Sequence, residues 1–169
     1  FSSDNGLTWN GPIDIVPQEQ KGKVKVCEEL DFAELPNGDL LMIMRDILGH
    51  APMQTRLSEK GDTWTSTEIA NAPFPPSGHP ELLATREGPI LYLATTGVSG
   101  TTDGGKTWNA LELPKPLNKS GWKEQGSPYY PQAIQMANGE ILCIGHVGGD
   151  NGYGCVDQSI VGMRFFLNI

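Results

Sequence analysis

Six side chains suited to chemistry in this 169-residue chain fall on a repeat. Counting nine residues back from each of three glycines, Gly38, Gly88 and Gly139, reaches Glu29, His79 and Tyr130. Counting seven residues forward from the same glycines reaches Arg45, Thr95 and His146. Five of these six side chains are ionisable, which a purely structural core does not select. Convergence of such groups on one place makes a site for acid–base chemistry or for a polar ligand. Taken singly, His79 reads equally well as a satisfied structural histidine. The set as a whole points to function.

The elements that must position these residues are hairpins. Leu35-Pro-Asn-Gly38, Thr85-Arg-Glu-Gly88 and Met136-Ala-Asn-Gly139 each stand between two apolar runs, and the glycines are 50 and 51 residues apart. Asn-Gly between apolar runs is a strong hairpin signal, and this period suits a repeat of small sheets. A second motif lies between the hairpins. Ser2-x-Asp4-x-Gly6-x-Thr8-Trp9 opens the chain, and Thr101-x-Asp103-x-Gly105-x-Thr107-Trp108 repeats it. Glu59-x-Gly61-x-Thr63-Trp64 is a weaker copy, with Leu57 in place of the leading hydroxyl. The carboxylate can accept bonds from turn amides, and glycine supplies a backbone angle that other residues resist. The Thr-Trp pair then starts the next strand with a large anchor.

Each unit therefore reads as four antiparallel strands, A to D. The first unit has A near 26–35, B near 39–45, C near 51–57 and D near 64–69. The second has them near 78–86, 89–96, 97–102 and 108–113. The third has A near 129–137, B near 140–147 and C near 157–167, with no D strand following. An orphan D strand is expected at 11–16, after the first Asp motif.

This arrangement resembles the Asp-box repeat of sialidase (neuraminidase)-type β-propellers. The resemblance implies an all-β fold of four-stranded antiparallel blades. The chain would be a single partial propeller domain over 1–169, with blades at about 24–70, 78–114 and 128–169. Rings usually have 4–8 blades, so three do not close. The expectation is the C-terminal half of a six-bladed propeller, or two copies joined about a two-fold axis with each orphan strand completing the partner's last blade. A chain that opens at Phe1 and not at Met fits a processed, trimmed or partial sequence.

The resemblance also assigns roles. Glu29-x-x-x-x-Glu34-Leu-Pro-Asn-Gly38-x-Leu-Leu-Met-x-x-Arg45 is similar to the family segment carrying a catalytic Glu and one arginine of the carboxylate-binding triad. Tyr130-Pro-Gln-Ala-Ile-Gln-Met-Ala-Asn-Gly139 is similar to the segment of the nucleophilic Tyr. Tyr130 would be the nucleophile and Glu29 its base, because a phenol of pKa near 10 needs one. A neutral phenol approaches an anomeric carbon that bears a carboxylate with less repulsion than a carboxylate would. Arg45 would hold the substrate carboxylate as a fork. His79 and His146 would line the mouth, the latter at a position usually Glu in the family. Asp46 and His50 follow Arg45 into a loop at the same end. Asp150, Tyr153 and Asp157 lie in a glycine-rich segment that reads either as contacting sugar hydroxyls or supplying an acid, or as a flexible loop with solvated carboxylates. The family's acid/base Asp and two further triad arginines are missing; Val98-Ser-Gly-Thr-Thr102 holds no arginine where one is expected.

Composition bounds the partners. A net charge of −8 disfavours nucleic acid and anionic membrane, and no apolar run reaches the roughly 20 residues of a membrane span. The opening residues show no signal-peptide pattern. Cys27, Cys143 and Cys155 cannot all pair with one another, and they leave the compartment open. The spacing of acidic residues does not match an EF-hand loop, and no metal or cofactor is expected. The expected ligand is a glycan or glycoside, bound by a sialidase-like hydrolase or by a non-catalytic Asp-box propeller that takes carbohydrate or a protein partner.

Overall fold

The structure, a computed structural model, describes residues 2–46, 50–61, 63–74, 79–94, 97–111, 128–147 and 159–168, with the backbone alone at 26–28, 128–130, 146–147, 159 and 161. Apart from one 3-10 turn at Gln18–Gln20, the regular structure among these residues is β. Sheet 1 is built from β1 (Val26–Glu34), β2 (Leu40–Asp46), β3 (Met53–Lys60) and β4 (Thr63–Ser66), with β5 (Ala70–Asn71) also paired to β3. Sheet 2 follows as β6 (Glu81–Ala84), β7 (Ile90–Ala94), β8 (Gly97–Thr101) and β9 (Asn109–Ala110). Sheet 3 holds β10 (Pro128–Gln135), β11 (Ile141–Val147) and β12 (Ser159–Phe165). Every ladder is antiparallel, and apart from β5, which pairs β3, the strands pair in chain order, so each sheet is a meander.

The same turn opens each sheet. In all three hairpins a glycine amide bonds back three residues, from Gly38 to Leu35, Gly88 to Thr85 and Gly139 to Met136. Each glycine has a left-handed φ, between 84° and 112°. This is a tight turn closed by a left-handed glycine, which twists the hairpin as its strands require. It fixes one register three times: Asp31 opposite Ile43, Glu81 opposite Leu93, and Gln132 opposite Ile144. A one-residue slip would turn every apolar side chain to the other face.

The core lies between sheets. Ala33, Leu41 and Ile43 of sheet 1 pack against Leu82, Ile90 and Tyr92 of sheet 2, together with Phe74. The Tyr92 ring stacks on Phe74 at 4.2 Å, and Trp108 meets both rings edge-on. Leu91 and Leu93, on the other face of β7, pack with Ala133, Ile141 and Cys143 of sheet 3. Sheet 2 is therefore covered on both sides, and all five residues of β7 are buried. Burying each large apolar side chain is worth about 1.5–3 kcal/mol, so these two seams are the main source of stability. First strands touch in sequence, β1 against β6 and β6 against β10.

Three departures from the expected layout have physical causes. Residues 11–16 form no strand. Ile15 and Val16 instead lie on the outer face of sheet 1 beside Met42 and Met44, and the Gln20 amide bonds both the N–H and the C=O of Ile69. The outer edge of sheet 1 is accordingly broken into β4 and β5, where Thr67 and Ile69 leave the ladder. The third difference is in the middle Asp motif. Leu57 is buried in an apolar cluster, and β3 and β4 close directly with Lys60 opposite Thr63. Without the leading hydroxyl, no carboxylate-centred loop is needed there.

The two full Asp motifs share their central bonds. Thr8 and Thr107 each donate their hydroxyl to Asp4 or Asp103 at 2.6 Å and their amide to the same carboxylate at 2.9 Å. Those bonds hold the Asp4 carboxyl at about 2 and lower Asp103 further. The Asp103 motif joins β8 to β9 and so lies at the hairpin-turn end of sheet 2, as alternation in a meander requires.

Candidate functional site

The opposite end, where β1 begins and β2 finishes, carries the sequence-derived candidates. Glu29 is half-buried on β1, and Arg45 on β2 donates to its carboxylate at 2.5 Å. The ladder is irregular between Val26 and Leu30, so Glu29 sits inside a bulge. β10 is irregular as well, by one residue fewer, between Tyr129 and Gln132, a stretch that contains Tyr130. Bulges re-aim side chains and concentrate beside active sites. Two strands a hundred residues apart therefore depart from regular pairing at the same repeat position. His146 lies opposite Tyr129 across the β10–β11 ladder. His79 stands two residues before β6, next to the buried Pro80.

Asp46 is placed differently from a direct ligand contact. Its carboxylate is buried and accepts both the backbone N–H of His50 at 3.1 Å and the ring Nδ1 at 2.6 Å. A bond from Nδ1 leaves Nε2 of the exposed His50 as the group presented outward. The side chains of Tyr130 and His146, and all of Thr95, Asp150, Tyr153 and Asp157, lie outside the described residues. Among the described residues no three His, Cys, Asp or Glu side chains converge to hold a metal. Cys143 is a buried free thiol, pushed up to about 11 by its burial.

Counting nine back and seven forward passes over a second set of polar side chains, seven residues before each glycine: the carboxylates Asp31 and Glu81, and Gln132. Asp31 of sheet 1 accepts the Leu82 amide of sheet 2 at 2.7 Å. Glu81 of sheet 2 accepts the Ala133 amide of sheet 3 at 3.3 Å, and the Gln132 side chain donates to it at 2.8 Å. Sheets 1 and 2 thus each use an acidic side chain to bond the first strand of the next. Glu81 is buried, and burial raises its carboxyl to about 7, with the nearby Asp31 charge adding to the effect. The signal was present in the sequence as Asp31, Glu81 and Gln132 at one repeat position.

No family model and no curated protein matches the chain. Among solved structures it is similar to a protein of unknown function from Dyadobacter fermentans DSM 18053, with a TM-score of 0.59 and 22% identity. The likeness covers 96% of this chain and 43% of that one, so the chain spans less than half the length of this neighbour. At this identity the likeness speaks to fold alone.

Proposed function

We propose that the three sheets are blades of a sialidase-type β-propeller, about half of a six-bladed ring, and that the chain takes a glycan at the end carrying Glu29, Arg45 and Tyr130. The observation that carries this reading is the Arg45–Glu29 pair inside the β1 bulge, matched by the bulge at Tyr130. In the retaining route, the Tyr130 oxygen attacks the anomeric carbon while Glu29 takes its proton. The bond to the leaving oxygen breaks, and that oxygen receives its proton from a general acid, a role open to Asp150 or Asp157. Water then attacks the anomeric carbon and gives a proton to the conjugate base of that acid, while the bond to Tyr130 breaks and Glu29 returns its proton to the phenolate oxygen. Arg45 exchanges its Glu29 partner for the sugar carboxylate.

A second reading is binding without turnover. It is favoured by β8, where the segment Gly97–Thr101 has no arginine at the place the resemblance requires. One experiment separates the two. The chain is screened on a glycan array and against fluorogenic sialosides, with Tyr130→Phe and Arg45→Ala alongside. Hydrolysis that falls at least about a hundredfold in Tyr130→Phe supports the enzyme. Binding without release, weakened about tenfold or more by Arg45→Ala, supports the lectin-like reading. Hydrolysis unchanged in Tyr130→Phe would remove the proposed nucleophile, and binding unchanged in Arg45→Ala would remove the proposed fork.

A further inference from the structure

We infer that the two outermost sheet faces bind each other across two copies of the chain, sheet 3 of one copy on sheet 1 of its partner. The inference rests on reading the sheets as successive blades, and not on the glycan reading.

The two internal seams define what such an interface needs. On the leading side, the residues five before and five after the turn glycine are buried: Ala33 and Ile43 in sheet 1, with Leu93 filling the same place in sheet 2. In sheet 3 the equivalent residues are Ile134 and Ile144, and they are 57% and 43% exposed. On the receiving side, the residue six before the glycine is buried as Leu82 in sheet 2 and Ala133 in sheet 3. Its counterpart in sheet 1 is Phe32, which is 53% exposed. The apolar residues left open are therefore those that the other seams bury. They form the two complementary halves of one further seam.

The polar device is present in halves as well. Phe32 lies opposite Met42 in the register that sets Leu82 opposite Tyr92 and Ala133 opposite Cys143. Its amide therefore occupies the place from which Leu82 bonds Asp31 and Ala133 bonds Glu81. Gln132 stands at the acidic position of sheet 3. Its amide nitrogen serves Glu81, which leaves the side-chain carbonyl to accept the Phe32 N–H of the partner.

The outer edge of sheet 3 fits the same occupant. Among the described residues sheet 3 has three strands, with β12 at its edge and Ile160 85% exposed on it. The segment 11–16 follows an Asp motif as β9 does but pairs with no strand among the described residues. A second copy brings this segment to β12 and supplies the fourth strand. Because the contact joins unlike faces, two such contacts about a two-fold axis close the pair.

The test is the molar mass of the chain by light scattering, combined with disulfide trapping. The expected mass is about twice 18.3 kDa, returning to a single chain in Ile144→Asp with its circular dichroism preserved. Phe32→Cys with Ile134→Cys in one chain should give a covalent dimer on mild oxidation, beyond what the unsubstituted chain forms. A folded monomer at tens of micromolar overturns the inference, and so does trapping through Ile134→Cys alone, which would indicate like faces in contact. Glycan binding plays no part in these readouts, so the two proposals fail separately.

Discussion

At the scale of single residues, Glu81 is the group most sensitive to its surroundings. Burial raises its carboxyl from 4.5 to about 7 while it bonds Ala133 across the seam between sheets 2 and 3. A carboxyl raised in the folded chain contributes most below its unfolded value, and that contribution is lost as pH climbs from about 4.5 to about 7. Glu81→Gln keeps an oxygen for the Ala133 amide, and Gln132 need only turn its own amide to match. The variant should be more stable than the parent at pH 8 by about 1–3 kcal/mol and nearly equal to it at pH 4. Urea midpoints at the two pH values measure this, and a lower midpoint for the variant at pH 8 would contradict it. Glu29 and Arg45 were legible in the sequence because both are counted from the same glycine. Glu81 was not, because an acid alternating with leucines reads as a solvent-facing strand position until the neighbouring sheet is in place. His50 was visible only as a loop residue; its pairing with the buried Asp46 depends on where the chain turns after β2.

At the scale of elements, the two Asp motifs form a matched pair that separates turn geometry from packing. Gly6 and Gly105 hold the same place and the same φ of +85°. A Cβ at Gly6 would meet only the Trp9 ring, at 3.9 Å, whereas one at Gly105 would lie 2.8 Å from Leu41. Both alanine variants carry the left-handed penalty of about 1–2 kcal/mol. Gly105→Ala should cost about 1–3 kcal/mol more, because Leu41 belongs to the buried seam. Equal melting temperatures for the two variants would show that this contact relaxes freely. Hairpins and inner strands were legible because turn glycines and apolar alternation mark both of their ends. Outer strands were less so. Among the described residues of the expected 108–113, β9 takes only Asn109–Ala110, and β4 stops at Ser66. An outermost strand has one neighbour, and its extent follows what that neighbour offers more than its own composition.

At the scale of the whole molecule, the repeat makes stability a sum over seams, as in other proteins built of stacked units. The middle sheet belongs to two seams and the outer sheets to one each. Native-state hydrogen exchange should therefore find the slowest amides in β7, with β5 and β9 opening long before it. Protection of β9 equal to that of β7 would mean that sheet 2 opens only as one unit. The seam between sheets 1 and 2 has an optical consequence. Trp9 is 74% exposed, whereas Trp108 is packed against Phe74 with its ring nitrogen bonded to Gln54 of sheet 1. Tyr92 lies 6.3 Å from Trp108, close enough for its excitation to pass to the indole and leave the phenol dark. The first two sheets thus carry their own light meter: parting them restores tyrosine emission and reddens that of Trp108 while every strand is still formed.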